Sequence, residues 1–177
     1  MKQFLTKVIL PIIILSQLTA CRSADYRTKQ NEAKKEIYTL IKEMNNNQTR
    51  KTDLTSYIFS YASINKSFDK GKLDTLFDSY KQFKKVNDEI LETPLNKKRL
   101  NKYFAQDATF SNILNIFFKD LYKRKLLKTD RHLMELFSQL EGIENRIDFF
   151  SKKYNKAIEQ HKKYLNYPTI KVVRYFY

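Results

Sequence analysis

One helical stripe of apolar residues, between Asp130 and Leu165, constrains this chain more than any other feature. Its members recur every three or four residues, the spacing that places side chains on one face of an α-helix. They are Leu133, Phe137, Leu140, Ile147, Phe150, Tyr154, Ile158, His161 and Leu165. At about 1.5 Å per residue the helix would be on the order of 50 Å long, and Asp130 is placed to cap its first turn. Such a helix must cover its apolar face, so the stripe predicts a helical bundle.

Two shorter helical patterns come first along the chain. The first extends from Tyr26 to Met44 and is predicted to stop at Asn45–Gln48, whose side chains compete for backbone hydrogen bonds. The second begins at Thr52 or Asp53 and is predicted to end at Gly71. Its predicted inner face consists of Leu54, Tyr57, Ile58, Tyr61 and Phe68.

A third pattern extends from Leu73 to Leu91 and is interrupted at Thr93-Pro94, because the residue before proline avoids the helical region. A fourth covers Asn96 to Lys125, and its weaker stretch at Ala105–Thr109 predicts a loop or a separate short helix. The chain has only two glycines and three prolines. We therefore expect an all-α protein, an elongated antiparallel bundle of four to five helices over residues 26–168. Residues 169–177 are rich in β-branched and aromatic side chains, which predicts a non-helical tail.

The N-terminus has the pattern of an export signal. Lys2 and Lys7 precede an apolar run, Val8–Leu15, that is shorter than the roughly 20 residues needed to span a bilayer. The four residues Leu18–Cys21 resemble the lipobox of bacterial lipoproteins. This resemblance implies removal of residues 1–20, a lipid on Cys21 and a short tether over residues 21–25. The alternative is an ordinary cleaved signal with an incidental cysteine. Cys21 is the only cysteine, so an internal disulfide is excluded.

The charge of the chain is strongly positive, with a net value of +15. In a cytoplasmic protein this would indicate nucleic acid, but export makes nucleic acid an unsuitable partner. Anionic lipid headgroups or acidic envelope polymers are the partners that such a charge would attract outside the cytoplasm. A second explanation stays open, because an AT-rich genome enriches Lys, Asn, Ile and Tyr together.

The C-terminal half contains a set of residues with the spacing of a known family motif, and they are Leu127, Lys128, Asp130, Leu133, Glu135, Leu136, Leu140, Glu141, Gly142, Glu144, Asn145, Arg146, Ile147, Tyr154, Asn155, Ala157 and Pro168. They resemble the LemA family, whose motifs include "LEGTENRI", "RRYNDAV" and a final "FP". A looser match to "RRYDLIPN" includes Asp53 and Leu54, whereas Ser56, Ser151 and His161-Lys162 depart from the family pattern. The resemblance implies an all-α bundle with a long helical hairpin, tied to a membrane by its N-terminus and facing outward. It implies no reaction.

Glu141, Glu144 and Asp148 fall on one helix face and are the main candidates for chemistry. Paired carboxylates perform acid–base catalysis or bind cations. The alternative is a solvated face, or a pair with a basic group on a neighbouring helix. No Glu-x-x-His motif is present, and His132 and His161 would lie roughly 43 Å apart on one helix. We therefore predict no metal, no cofactor and no catalytic residue.

The remaining motif residues are predicted to be structural. Asn145 and Asn155 are expected to hydrogen-bond across to another helix, and Arg146 to pair with an acidic side chain there. Tyr154 is expected to place its ring in the core and its hydroxyl at the rim. The expected function is a non-enzymatic scaffold or interaction protein of the bacterial cell envelope. It would be lipid-anchored on the outward side of a membrane, which is the periplasmic or outer-membrane face in a Gram-negative cell. Its partner would be another envelope protein. The alternatives are a basic module that binds anionic lipids or acidic polymers, and a hydrolase that uses Glu141 and Glu144.

Overall fold

The computed structural model describes the backbone of residues 2–64 and 68–170, and the side chains of residues 24–64 and 68–170. Within these ranges the chain forms helices and no strand, so the prediction of an all-α bundle with a long last helix is confirmed. The elements in order are α1 Lys2–Ile64, α2 Lys70–Glu89, a 3-10 turn Ile90–Glu92, α3 Lys97–Lys123, the short α4 Leu126–Thr129, and α5 Arg131–Gln160.

Helices α1 and α5 form one antiparallel pair. The ring of Tyr26 lies 5.1 Å from that of Tyr164, just beyond the end of α5. The ring of Tyr61 lies 4.9 Å from that of His132, in the first turn of α5. The early part of α1 therefore faces the late part of α5, and the pair extends over about 45 Å, the length of the 30-residue helix α5.

Helices α2 and α3 form a second antiparallel pair, since Lys72 near the start of α2 bonds Asp120 near the end of α3, and this pair packs against the first. Phe83 of α2 stacks on Phe110 of α3 with 5.2 Å between ring centroids, and Phe59 of α1 contacts Phe77 of α2 at 5.1 Å. The four long helices share one core. Fully covered members from each are Ile37, Ile41, Ile58, Leu76, Phe83, Leu100, Phe110, Leu133, Leu140 and Tyr154.

Three of these helices begin at a side-chain cap. A carboxylate or amide oxygen of Asp69, Asn96 and Asp130 accepts the backbone N–H of the residue three positions later, at 3.0 or 3.1 Å. Such a bond satisfies a donor that the first helical turn leaves free. The predicted cap at Asp130 is therefore present. The Tyr61 hydroxyl donates a second bond to that carboxylate.

The predicted break at Asn45–Gln48 is wrong, because α1 continues through it to Ile64. Asn45, Asn47 and Gln48 are buried. The Asn45 amide donates to the Asn87 carbonyl on α2 at 2.8 Å, and the Asn47 amide donates to the Glu43 carbonyl at 2.8 Å. The Asn45 and Asn47 amides thus have acceptors while α1 continues unbroken, whereas the side-chain oxygens of Asn47 and Gln48 have no hydrogen-bond partner among the described residues.

Three other predicted boundaries also differ. Gly71 does not end a helix, since it lies in the first turn of α2. The stretch Ala105–Thr109 is neither a loop nor a separate helix but part of α3. Helix α5 ends at Gln160, five residues before the predicted end near Leu165.

On α1, Tyr57 was predicted to face inward and is 64% exposed. Thr169 and Ile170 are non-helical, and residues 171–177 lie outside the described part of the chain.

Candidate functional site

A buried ion-pair cluster lies at the middle of the bundle, where α1, α3 and α5 meet. The Lys51 ammonium of α1 is fully covered. It lies 2.6 Å from a carboxylate oxygen of Glu144 on α5 and 3.3 Å from one of Asp107 on α3. The Ser111 hydroxyl of α3 also accepts a hydrogen bond from this ammonium. One lysine thus connects three helices, and its three donors have three acceptors.

Aromatic rings complete the surroundings of the ammonium. It lies 5.1 Å from the ring centroid of Phe110 and 5.9 Å from that of Phe83. A cation within about 6 Å of a ring face is attracted to it, and more strongly where water is absent. Helix α2 therefore contributes to the cluster through Phe83, so all four long helices contact Lys51 or its partners.

The electrostatics of the cluster reflect one cation shared by two carboxylates. Burial acts to lower the pKa of the Lys51 ammonium, but the charges of Glu144 and Asp107 outweigh it and hold that pKa above its usual value. Burial raises the pKa of the Glu144 carboxyl, and Lys51 opposes this shift while the charge of Asp107 adds to it. Lys51 therefore stays protonated, and the pKa of the Glu144 carboxyl lies above its usual value because burial outweighs the attraction of Lys51.

Tyr103 adds a buried hydroxyl on the same helix as Asp107. Burial first, and the Asp107 charge second, raise the pKa of this tyrosine well above its usual value. Among the described residues the Tyr103 hydroxyl has no hydrogen-bond partner. It therefore stays neutral, and it does not join the ion pairs around Lys51.

The cluster does not assemble the carboxylate pair that the sequence suggested. Glu144 faces Lys51 in the interior, whereas Glu141 is exposed. Asp148 pairs with Lys152 of its own helix at 2.5 Å. Of the two alternatives for Glu144, the pair with a basic group on a neighbouring helix is the one present. In the ranges with described side chains, no group of three His, Cys, Asp or Glu residues has the geometry to hold a metal ion.

Tyr154 and Asn155 hold the segment that follows α5. The Asn155 amide nitrogen donates to the Ile170 carbonyl at 2.8 Å, and the Ile170 N–H donates to the Asn155 side-chain oxygen at 2.7 Å. The Tyr154 hydroxyl donates to the Pro168 carbonyl at 3.0 Å. We call these three bonds the C-terminal clamp. Asn155 therefore bonds this returning segment rather than another helix, and Tyr154, which is fully covered, has its ring in the core as predicted.

Other motif residues divide between the interior and the surface. Ile147 is buried, but Asn145 and Arg146 are exposed. The predicted bonds of Asn145 and Arg146 to a neighbouring helix are therefore wrong, since their positions on α5 point to solvent. Asp53 and Glu135 are exposed as well.

Two motif residues and one histidine are partly buried, and they are Leu54, Pro168 and His161, whereas His132 is exposed. His161 lies 2.7 Å from a carboxylate oxygen of Glu36, far along α5 from His132, so the two histidines share no site.

Lys51, Asp107 and Ser111 were not predicted from the sequence. A signal for Lys51 was present, because it continues the spacing of three and four residues set by Ile37, Ile41, Met44 and resumed by Ile58. A lysine in phase with an apolar stripe indicates a buried, paired charge. Asp107 had no comparable signal, since its partner is 56 residues away.

The fold and the cluster together define a class of protein, an antiparallel all-α bundle with a long α1–α5 hairpin fixed at its centre by buried ion pairs. The chain belongs to the LemA family, whose model matches residues 40–175. Neither a comparison with curated proteins nor one with solved structures finds a match.

Two findings bear on the membrane. Within residues 24–64 and 68–170, no helical stretch is long and apolar enough to cross a bilayer. The predicted lipidation site Cys21 and the predicted signal peptide lie outside the residues with described side chains.

Proposed function

We propose that this LemA family protein is a lipoprotein of the bacterial envelope that acts as a scaffold and carries no enzymatic activity. After removal of residues 1–20, a lipid on Cys21 holds the bundle on the outward side of a membrane. The bundle then presents the solvent-facing side of α5 to another envelope protein.

The observation that supports a scaffold is the way the "ENRI" motif divides between interior and surface. Glu144 and Ile147 face inward, and Glu144 is neutralised by Lys51 at 2.6 Å. Asn145 and Arg146 face outward, beside Phe149, which is 52% exposed. Exposed aromatic and arginine side chains are enriched at protein interfaces. We call Asn145, Arg146 and Phe149 the outer α5 face, and it fits a protein partner better than a small-molecule substrate.

The anchor is tested with the Cys21→Ala variant of the full chain. Mass spectrometry of the wild-type N-terminal peptide should find acyl chains on Cys21, and the variant should leave the membrane fraction. Two or more acyl chains hold a protein stably, whereas one holds marginally. A cleaved variant that stays in the membrane fraction would show that Cys21 is not the anchor.

The scaffold is tested by placing a photo-crosslinking amino acid at Arg146 in cells. We expect one defined protein adduct from this position. The matched control carries the same amino acid at Lys119, an exposed position on α3. The same adducts from both positions, or none from Arg146, would rule out the outer α5 face as the partner surface.

The hydrolase alternative is separated by Glu141→Gln. Glu141 is exposed and has no role in the cluster, so a scaffold keeps its cellular phenotype and stability in this variant. Loss of function in a variant that unfolds at the wild-type temperature would instead support acid–base chemistry at Glu141.

A further inference from the structure

The charge of the bundle is distributed unevenly along its length. We define the proximal end as residues 24–44, 90–104 and 151–170, the part closest along the bundle to Cys21. Contacts join these segments: Gln30 bonds the Tyr164 carbonyl at 3.3 Å, Glu36 bonds His161 at 2.7 Å, and the ring of Phe104 lies 5.5 Å from that of Tyr154. The waist comprises residues 45–57, 77–89, 105–115 and 138–150, and the distal end comprises 58–64, 68–76 and 116–137.

Residues 24–64 and 68–170 carry a net charge of +9, and the proximal end accounts for +8 of it. The proximal end carries 14 Lys and Arg against six Asp and Glu, a net charge of +8. The waist carries six basic and eight acidic residues, or −2, and the distal end eight and five, or +3. A genome that merely favours lysine would enrich it at every level of the bundle. The contrast between +8 at the proximal end and −2 at the waist therefore points to position as well as composition.

Local ion pairs neutralise few of these basic groups. Four of the six proximal acids already have a basic partner: Asp25 with Lys29, Glu36 with His161, Glu92 with Arg99, and Glu159 with Lys162. Eight exposed lysines of the proximal end have no ion pair among the described residues. They lie on α1, α3 and α5 and in the segment after α5, and are Lys35, Lys42, Lys97, Lys98, Lys102, Lys153, Lys156 and Lys163.

We propose that the proximal end binds the anionic lipid headgroups of the membrane in which Cys21 is anchored. This inference rests on the proposed anchor, which places the proximal end at the bilayer. Residues 21–27 belong to helix α1, so Arg27 lies only about 9 Å along the helix axis from Cys21. Each lysine near an anionic surface contributes about 1 kcal/mol of attraction, within a Debye length of roughly 10 Å. The acyl chains on Cys21 then attach the protein to the membrane. The proximal end selects the anionic lipids around it and determines the orientation of the bundle at the membrane surface.

The test uses the mature chain from residue 21 with Cys21→Ser, so that no lipid contributes to binding. Every buried residue of the described core lies between Ala33 and Leu165, so this chain contains the whole bundle. Sedimentation with phosphatidylglycerol–phosphatidylcholine vesicles should show binding that weakens with added salt. Vesicles of phosphatidylcholine alone should not bind it.

Two charge-matched variants identify the surface. The proximal variant carries Lys98→Glu, Lys102→Glu and Lys156→Glu, and should lose affinity by about 100-fold or more, since each lysine is worth roughly fivefold. The distal variant carries Lys70→Glu, Lys119→Glu and Lys123→Glu, has the same net charge, and should bind within about threefold of the parent because its changes lie beyond the screening length. All six lysines are exposed, and circular dichroism with thermal unfolding verifies that both variants fold.

Three outcomes would overturn the proposal. The first is an equal loss of vesicle affinity in the proximal and distal variants, and the second is no binding of the parent chain to anionic vesicles at low salt. The third is tighter binding of the parent chain to soluble inorganic polyphosphate than to the vesicles at equal charge concentration. None of these measurements depends on lipidation. Failure of the Cys21 anchor and failure of the basic surface are therefore seen separately.

Discussion

Replacing Lys51 with methionine tests whether the ion-pair cluster holds the bundle together. The methionine side chain fills most of the space of the lysine stem, so the packing change costs less than about 1.5 kcal/mol. The charge is the larger loss. Glu144 and Asp107 keep only 12% and 19% of their side-chain surface in water, and without Lys51 they face each other unpaired. Removing one partner of a buried pair costs about 3–5 kcal/mol.

The expected loss is a large share of the total stability, since a domain of this kind unfolds at a cost of about 5–15 kcal/mol. For 177 residues it corresponds to a decrease of roughly 6–20 °C in the unfolding temperature. Urea unfolding at pH 7, followed by circular dichroism, measures the free energy. Lys42→Met on the same helix is the control, because Lys42 is exposed, and it should stay within about 0.5 kcal/mol of wild type.

The pH dependence of the same variant separates a charge effect from a packing effect. Without Lys51, the Glu144 carboxyl keeps the burial that raises its pKa and loses the ammonium that opposes it. Its folded-state pKa then lies further above the unfolded value of 4.5. The folded variant therefore binds the proton more tightly, and its stability rises as the pH falls toward 4.5.

The difference in the free energy of unfolding between wild type and Lys51→Met is thus expected to be smaller at pH 4.5 than at pH 7. Adding Glu144→Gln should recover most of the loss at pH 7, because it removes the more deeply covered carboxylate. A decrease in the free energy of unfolding of less than about 1 kcal/mol in Lys51→Met at pH 7 would refute the reasoning. A difference from wild type that does not change with pH would refute it as well.

Three further predictions concern the cap and the C-terminal clamp. Asn155→Asp loses the donor to the Ile170 carbonyl and places a negative charge beside it, so hydrogen exchange at the Ile170 amide should accelerate. Asn155→Gln keeps both the donor and the acceptor and should change this exchange rate less. Equal exchange rates in wild type and both variants would contradict the clamp. Asp130→Ala should lower the free energy of unfolding by about 1 kcal/mol through loss of the α5 cap, and Asp130→Asn by a few tenths of a kcal/mol. Urea unfolding measures both values. An alanine variant as stable as wild type would argue against the cap. Burial raises the pKa of Tyr154 above its usual value of 10.0, so the folded state retains this proton and its stability falls as the pH rises past 10. In Tyr154→Phe the unfolding temperature should decrease less steeply with pH above 10. The same decrease in wild type and variant would contradict this prediction.

The sequence by itself determined the helical class, the apolar face of the long last helix α5 and the cap at its start. These features depend on residues that are close in the chain. The apolar positions of the last stripe repeat every three or four residues, and the Asp130 carboxylate reaches an N–H only three residues away, at 3.1 Å. Local signals of this kind fix the periodicity and the start of a helix whatever else packs against it.

Only the tertiary structure decided the fate of the polar residues. Asn45 looked like the end of a helix until α2 supplied the carbonyl of Asn87. Lys51 is in phase with the apolar stripe of α1, but only the packing of α3 and α5 shows that its partners are Asp107 and Glu144. The same packing turned Glu144 inward and left Glu141 in solvent. Whether a polar side chain breaks a helix, joins an ion pair or faces water depends on partners far away in the chain, and local periodicity carries no information about them.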